Sequence, residues 1–461
     1  MLVLSVVVRE RETGAKHQQL ISGVSLPAYW LATYLWDAVS YLIPSGLSIL
    51  MFVAFGVEAY TTGESLTATA LLFLLYGPAV AAQTYCFSYL FKSHSTAQNI
   101  VLLFNFLSGL ALMITSFVLD ALENTRELNQ MLKHFFRLLP PFCLGNGLIQ
   151  LSFCQDAGPE LGVQCATSFF GQGGVVLARP LDFDVAGLNI LYLGCECFVY
   201  IGICLLIEVG LTYPAFAAIF DRVREPGTTL DEVDEDVATE AERVRTGKSS
   251  GEIVRLEGLR KVYNSPVGPK VAVQNLSFGI PSGECFGFLG INGAGKTTTL
   301  SILSGDIAPT SGRAYINGLA IETEQLAVRR LIGYCPQHDA LLDLLTVREH
   351  LYLYARIKGV ASEIIEGVVQ TKMEQLDLLD FTDKQAGTLS GGNKRKLSVA
   401  IAMIGRPRVV FLDEPSTGMD PVARRYMWDV ISAMTTRDGQ DCSVILTTHS
   451  MVRHNLLLPT F

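Results

Sequence analysis

The distribution of apolar and charged positions divides the chain into a membrane-like half and a soluble half. Three long runs, 38–57, 65–91 and 95–119, contain no Asp, Glu, Lys or Arg, and a fourth, 185–211, contains only Glu196 and Glu208. A helix rises about 1.5 Å per residue, so about 20 apolar residues cross about 30 Å of hydrocarbon. The pattern predicts four membrane-spanning helices, at 28–57, 66–91, 96–119 and 186–212.

Basic residues at the ends of these runs predict the orientation. Four spans place both ends of the segment on one side of the membrane, and an excess of Lys and Arg marks the cytoplasmic side. That side carries Arg9, Arg11, Lys16, Lys92, Arg222 and Arg224. We therefore expect the loop at 60–64 and the long segment at 120–184 to lie outside.

The outer segment contains an apolar stretch that is too interrupted to span. Residues 135–153 read FFRLLPPFCLGNGLIQLSF, broken by two prolines and two glycines. This pattern predicts a re-entrant or interfacial hairpin over 131–153. Cys154 and Cys165 follow it and bracket a polar loop, so they are the cysteine pair for which the predicted location permits oxidation. Most of the other cysteines are expected to be buried or lipid-facing thiols.

Three acids fall within the first and fourth predicted spans or at their ends. Asp37, Glu196 and Glu208 either line a substrate path, since charge within lipid is costly and usually functional, or lie near the headgroups. Glu196 is the deepest of the three and is therefore the best candidate for a functional acid.

The composition changes after residue 220. An acidic, aromatic-free tract predicts a solvated linker over 221–250. From residue 251 short β-rich runs such as SVILTTH alternate with helical stretches, which predicts a parallel sheet with crossover helices. The net charge of −9 argues against a nucleic-acid partner.

The strongest single motif lies in this soluble half. Residues 290–297 read GINGAGKT, which fits the phosphate-binding pattern GxxxxGK[ST] between a strand-like and a helix-like run. Lys296 is expected to hold the β and γ phosphates of ATP, and the Thr297 hydroxyl to ligate Mg²⁺. The predicted nucleotide-binding residues of this loop are Gly290, Asn292, Gly293, Ala294, Gly295, Lys296, Thr297 and Thr298.

Two adjacent carboxylates end a later apolar strand, VVFLDE. Asp413 is placed to reach the Mg²⁺ bound at Thr297, directly or through water. Glu414 is then free to polarise the attacking water as a general base.

Further motifs resemble ABC ATPases. LSGG at 389–392 and FLDEPSTGMDP at 411–421 are similar to the signature and Walker B elements of that family. By this resemblance Tyr263 stacks on adenine, Gln337 belongs to a Q-loop that serves catalysis and Mg²⁺, Asp420 is the D-loop aspartate, and His449 is the switch histidine.

The resemblance also implies a partner. In ABC ATPases the signature caps the γ-phosphate of ATP held by a second nucleotide domain. Ser390, Gly391 and Gly392 would therefore act on a partner's ATP, the partner being a second copy or another half-transporter.

Finer details, including NKRKLS after the signature and RERETGAKHQQLISG near the start, resemble the A subfamily of ABC transporters, the lipid exporters. That resemblance implies a type-2 exporter-like membrane domain over 1–220 and a cytoplasmic nucleotide domain over 251–461. The fold class is thus a multi-pass α-helical membrane domain followed by an α/β P-loop ATPase domain.

Both ends of the chain depart from the family pattern, so we expect a nucleotide domain that is truncated at the C-terminus. The implied function is ATP-driven lipid transport with a membrane lipid as substrate. Two alternatives remain open, a truncated ATP-binding fragment that does not transport and an exporter of a non-lipid substrate.

Overall fold

The computed structural model describes residues 2–156, 163–166, 177–212, 234–247, 249, 251–265, 268–291, 293–436 and 442–448. The chain divides into two compact units, which are described separately. One unit comprises Met1–Glu12 and Leu26–Val209, and the other comprises Thr13–Ser25 and Gly210–Phe461. The short segment 13–25 groups with the second unit, although it lies near the start of the chain.

The described α-helices are α1 (Leu2–Glu12), α2 (Ala15–Ile21), α3 (Leu26–Ala54), α4 (Glu58–Thr61), α5 (Gly63–Ser88), α6 (His94–Ala121), α7 (Arg126–Phe136), α8 (Pro140–Ser152), α9 (Leu188–Thr212), α10 (Glu235–Arg245), α11 (Lys296–Leu303), α12 (Gln325–Leu331), α13 (Val347–Ile357), α14 (Ile365–Gln375), α15 (Gly391–Ala402) and α16 (Pro421–Thr436).

The described strands are β1 (Cys154–Asp156), β2 (Val163–Ala166), β3 (Leu177–Ala178), β4 (Val254–Ser265), β5 (Gly268–Ile280), β6 (Cys285–Leu289), β7 (Ser311–Ile316), β8 (Leu319–Ala320), β9 (Ile332–Cys335), β10 (Val409–Asp413) and β11 (Ser443–Thr448).

Four helices of the first unit, α3, α5, α6 and α9, are long and apolar enough to cross a membrane. They overlap the four predicted spans. Large apolar side chains on α3, α6 and α9 are exposed, including Leu35, Phe106 and Leu206. Such continuous apolar exposure is the pattern of helices whose outer faces are covered by lipid. By contrast, half of the most apolar stretch of α5 is buried, so α5 is the central helix of the unit.

A glycine allows α3 and α5 to approach closely. A Cβ atom at Gly77 of α5 would lie 2.0 Å from the ring of Tyr41 on α3. Small residues at such contacts let helix backbones pack tightly where no hydrophobic effect drives association.

The predicted hairpin consists of two helices, α7 and α8, with a break at 137–139 before Pro140. After it, β1, β2 and β3 form a small antiparallel sheet that the sequence pattern did not predict. Cys154 and Cys165 face each other across β1 and β2 and are joined by a disulfide, which confirms the pair flagged from the sequence.

The second unit contains two four-stranded sheets. The order β6-β11-β10-β9 is parallel throughout, which confirms the predicted parallel sheet. Its central strand β10 is buried at every position, as expected for a strand with both faces covered. The second sheet, β5-β4-β7-β8, is antiparallel and was not predicted.

Part of the predicted linker, residues 235–245, is a helix, and most of its side chains are exposed. Helix α10 is held against the antiparallel sheet by its own charges. Glu240 accepts a hydrogen bond from the Gly279 backbone N–H at 3.1 Å, and Arg243 pairs with both Glu240 and Glu252. Val244 is buried. Basic residues among the acids provide the partners that a purely acidic tract would lack.

Candidate functional site

The site lies at the carboxyl edge of the parallel sheet. β6 and β10 both pair with β11, so Gly290 directly after β6 and Asp413 at the end of β10 lie at the same edge, two strands apart. Strand β9 neighbours β10, and Gln337 follows it by two residues. Carboxyl ends of parallel strands meet at one edge, where α/β proteins bind ligands. The fold therefore gathers motifs that are distant in sequence.

The phosphate loop runs from Gly290 to the start of α11. Gly295 has φ +85°, and a Cβ atom there would lie 2.4 Å from the Ala272 carbonyl oxygen. Only glycine fits this position. Its conformation directs the first turn of α11 into the loop, so the free N–H groups of that helix end are available to an anion.

Lys296 begins α11 and is buried, and its Nζ donates hydrogen bonds to the carbonyl oxygens of Gly290 and Ile291 at 2.7 and 3.0 Å. The ammonium group therefore lies inside the loop, where phosphate oxygens would replace the carbonyls as acceptors. Thr297 and Gly293 are exposed, Thr298 is half-buried, and Ala294 is exposed beside Gly295. Asn292 lies outside the described residues. The donor set fits a nucleotide triphosphate.

Asp413 has the environment of a cation ligand. Its side chain is 1% exposed, and Oδ1 accepts a hydrogen bond from the Thr447 hydroxyl. Its other oxygen, Oδ2, is enclosed and has no hydrogen-bond partner within the described ranges. A buried carboxylate oxygen without a partner is costly, and a divalent cation satisfies it. Asp413 with the Thr297 hydroxyl therefore fits Mg²⁺, while any contribution of Gln337 remains a prediction.

Glu414 is held in an uncommon backbone conformation. Its φ is +51°, in the left-handed region that non-glycine residues seldom adopt. The Thr447 hydroxyl accepts from the Glu414 backbone N–H at 3.0 Å, and the Thr417 hydroxyl donates to Glu414 Oε2 at 2.9 Å. Strained residues fixed in this way cluster at functional sites. Thr447 therefore positions both carboxylates, one through the side chain and one through the backbone.

Arg395 of α15 is a site residue that the sequence reasoning missed. It is 2% exposed. Its guanidinium donates to the carbonyl oxygens of Pro336, Gln337 and Asp413 and also contacts the Asp339 carboxylate at 3.3 Å. The signature helix is thus tied to the loop after β9 and to the end of β10. The available signal was a run of basic residues, NKRK, which would ordinarily be interpreted as a solvated helix face.

The signature residues are presented at a helix end. Ser390 is the N-cap of α15, and its hydroxyl accepts from the Asn393 backbone N–H at 3.4 Å. Ser390 and Gly391 are exposed, and a Cβ atom at Gly391 or Gly392 would meet nothing within 4 Å. Space within the chain therefore does not require these glycines. Their role in capping a partner's nucleotide remains a prediction.

The remaining predicted site residues have separate environments. Asp420 caps α16 by accepting from the Val422 and Ala423 backbone N–H groups, and these hydrogen bonds, that from Ala423 first, lower the pKa of its carboxyl. Gln337 is exposed. Tyr263 is 36% exposed, with Lys261 Nζ 5.4 Å from its ring centre, so its face remains open to a planar ligand. His449 lies outside the described residues.

Helix α2 docks on the nucleotide-binding unit beside the loop that carries Gln337. Gln18 is buried, and its Nε2 donates to the Tyr334 carbonyl oxygen at 2.7 Å. His17 Nδ1 lies 3.0 Å from Asp306 Oδ1, and Ile21 joins the apolar cluster under the sheet. Residues 17–21 therefore attach α2 to the nucleotide-binding unit.

The three intramembrane acids differ in their surroundings. Tyr85 of α5 donates a hydrogen bond to Asp37, and Tyr89, directly after the end of α5, donates to Glu208. Glu196 is 5% exposed, and neither carboxylate oxygen has a hydrogen-bond partner in the described part of the chain. Asp37 and Glu208 are therefore satisfied structurally, whereas Glu196 is not.

Comparisons with known proteins agree with this geometry. Residues 1–206 match the family model of the ABC-2 family transporter protein, and residues 273–417 match that of the ABC transporter. The chain is 44% identical over 96% of its length to the retinal-specific phospholipid-transporting ATPase ABCA4 of Bos taurus. It is 41% identical over 97% of its length to the phospholipid-transporting ATPase ABCA7 of Homo sapiens.

A solved dimeric structure of a bacterial ABC transporter cassette aligns with 43% of this chain and 89% of its own, at 24% identity and a TM-score of 0.41. The chain spans about a fifth of the length of the curated relatives, 19% of the Bos taurus protein and 20% of the Homo sapiens protein.

Proposed function

Because the chain belongs to the ABC transporter family, with an ABC-2 membrane domain and an ABC ATPase domain, we propose that it is an ATP-hydrolysing subunit of a membrane lipid transporter. The main observation in support of this proposal is the arrangement of residues at the carboxyl edge of the parallel sheet. There a phosphate loop and a buried carboxylate with one unpartnered oxygen lie two strands apart.

The chain's own residues divide the chemistry of hydrolysis. Lys296 and the N–H groups at the start of α11 bind and orient the phosphates. Asp413 and Thr297 hold Mg²⁺, which when bound neutralises charge on the β and γ phosphates. Glu414, fixed by Thr417 and by its backbone, accepts a proton from the attacking water as the general base.

The second nucleotide-binding domain comes from a partner, and we take that partner to be a second copy of the chain. Ser390 and Gly391 are exposed at the start of α15, which supports this arrangement. The exposed N-terminus of a helix attracts negative charge, here the γ-phosphate of ATP bound to the other copy.

The transported substrate is a membrane lipid. Two observations support this choice. The four long helices present apolar outer faces, and relatives at 41% and 44% identity are named phospholipid-transporting ATPases. The docking of α2 beside the Gln337 loop supports coupled movement, because closure of the nucleotide domains would move that helix. The nucleotide domain then lies on the cytoplasmic side.

The test is magnesium-dependent ATP turnover by the purified chain in lipid nanodiscs. We expect vanadate-sensitive turnover that lipid stimulates. Glu414→Gln should lower kcat by roughly 10²- to 10⁴-fold, because the general base is lost. Lys296→Ala should abolish turnover by weakening nucleotide binding. Glu363→Gln, an exposed acid on the same unit, is the matched control and should retain activity. ATP binding without any turnover by the unmodified chain would instead support a fragment that does not transport.

A further inference from the structure

The break between α7 and α8 contains a buried arginine. Arg137 is 6% exposed, and its Nε donates to the Asn189 side-chain oxygen at 2.9 Å. Its terminal nitrogens have no acceptor, and no carboxylate lies within 4.0 Å of the guanidinium, among the residues that the structure describes. An arginine keeps its charge at all physiological pH values. Within the described ranges, the charge at Arg137 is therefore buried without a counter-ion.

Several polar groups lie around Arg137, among them the Cys143 thiol, which donates to the Arg137 carbonyl oxygen at 3.1 Å. Asn146, 7% exposed, also donates to the Asn189 oxygen, at 3.2 Å, and Asn189 is fully buried near the start of α9. The Tyr192 hydroxyl lies within electrostatic range of the guanidinium and 3.0 Å from His134 Nδ1. We call Arg137, Asn146, Asn189 and Tyr192 the hairpin site.

The hairpin site lies close to the surface. His134 is exposed, its Nδ1 lies 3.0 Å from the Tyr192 hydroxyl, and Tyr192 is half-buried. The surrounding surface is apolar, with Phe135 at 64%, Leu138 at 53% and Leu191 at 51% exposed. A water-soluble anion gains nothing from such a rim. In a ligand that carries both an anionic group and hydrocarbon chains, the anionic group pairs with the arginine. The hydrocarbon chains cover the exposed apolar side chains.

We infer that the hairpin site binds the phosphate group of a phospholipid, with Arg137 as its principal ligand. Arginine presents two parallel N–H donors that match a phosphate group, and such charge-assisted pairs are stronger than neutral hydrogen bonds. This inference rests on the proposed lipid transport and names a place where the headgroup is held. Glu196 is not part of the site, because both of its oxygens are enclosed.

The test measures lipid binding by the full chain in a detergent without phosphate. The probes are dioleoylphosphatidylcholine, dioleoylglycerol with the same acyl chains but no phosphate, and inorganic phosphate. We expect the phospholipid to bind, dioleoylglycerol to bind about tenfold more weakly, and inorganic phosphate not to compete. Equal binding of the two lipids, or competition by inorganic phosphate at the same affinity, would overturn the inference.

Variants of Arg137 test whether the phospholipid binds at the hairpin site. Arg137→Gln should weaken phospholipid binding about tenfold, and Arg137→Lys, which keeps the charge but loses the fork, should lie in between. Lys133→Gln is the matched control, because it removes a charge from the same hairpin that Asp120 already neutralises at 2.7 Å. Unchanged binding in Arg137→Gln contradicts the inference and points to a protein carboxylate as the counter-ion.

This binding requires no ATP, so its outcome is independent of the turnover assay. If Arg137→Gln does not fold, the affinities of the two lipids are compared on the unmodified chain and on Arg137→Lys. That comparison still tests whether Arg137 binds the phosphate group. Arg137-dependent binding without ATP turnover would leave the hairpin site intact and remove the proposed transport function.

Discussion

Single residues of the nucleotide site are positioned mainly by groups outside the recognised motifs. Thr447 bonds both Asp413 and the Glu414 backbone, and Arg395 bonds carbonyl oxygens before and after its own helix. Buried donors and acceptors that lose their partner cost about 1–3 kcal/mol each. The catalytic carboxylate and the Gln337 loop are thus linked through the signature helix, so a change in one is transmitted to the others.

Replacement of Arg395 tests this linkage. Arg395→Ala should lower the free energy of unfolding by about 2–4 kcal/mol, because at least two buried carbonyl oxygens lose their donor. Arg395→Lys should restore much of the stability but still lower kcat, since one ammonium cannot reach both loops. Thermal denaturation and ATP turnover measure the two effects. Lys394→Ala, the adjacent basic position, is the control, and a loss of stability with normal kcat in Arg395→Lys would show that Arg395 is only structural.

Sequence reasoning at this scale predicts residues where spacing along the chain defines the chemistry. Lys296, Thr297, Asp413 and Glu414 lie in motifs whose chemistry depends on near neighbours, and the fold brings the motifs to one sheet edge. Arg395 was missed because its acceptors include a carbonyl 58 residues earlier. No local pattern contains such a contact.

Among the elements, α2 is held on the nucleotide-binding unit by contacts of His17, Gln18 and Ile21. Burial lowers the pKa of His17, an effect that Asp306 opposes and Arg329 reinforces. His17 Nε2 is enclosed without a partner in the described portion of the chain. A proton there would be buried and unpaired, so the docked helix favours the neutral ring, which still donates from Nδ1 to Asp306.

A lower pH should therefore weaken the docking of α2 on the nucleotide-binding unit. The docked form has the lower pKa and binds fewer protons than the undocked form, whose His17 titrates near the ordinary value of 6.5. The contribution of His17 to docking is present above that value and is lost as the pH falls towards the docked pKa. Hydrogen exchange of residues 15–21 measures it. His17→Asn keeps a donor without titrating and should show little pH dependence, whereas equal acid sensitivity in both proteins would contradict the assignment.

Whether a helix or strand could be predicted from the sequence depended on what stabilises it. The four long apolar helices were predicted because length and absence of charge suffice to define them. Helix α10 was missed because its stability depends on Arg243 bonding to Glu252 outside the helix. The antiparallel sheet was missed because β4 pairs with β5 and β7 through irregular registers that weaken the alternating pattern.

The whole molecule combines a nucleotide-binding unit with a unit of long apolar helices. The nucleotide-binding unit brings the phosphate loop and Asp413 to one sheet edge and exposes Ser390 and Gly391 of the signature. The first unit contains four helices that are long and apolar enough to cross a membrane, and it contains the hairpin site. A complete ATP site then combines the phosphate loop of one chain with Ser390, Gly391 and Gly392 of another, so the central claim is that hydrolysis occurs between two copies.

Mixing two inactive variants tests that claim most directly. Lys296→Ala removes the phosphate ligand, whereas Gly392→Asp adds negative charge at a position where a Cβ meets nothing within 4 Å in its own chain. Neither variant should hydrolyse ATP alone. A co-reconstituted mixture should regain magnesium-dependent turnover, because one site then combines an intact phosphate loop with an intact signature. A mixture as inactive as its components, or full activity of Gly392→Asp alone, would contradict hydrolysis between two copies.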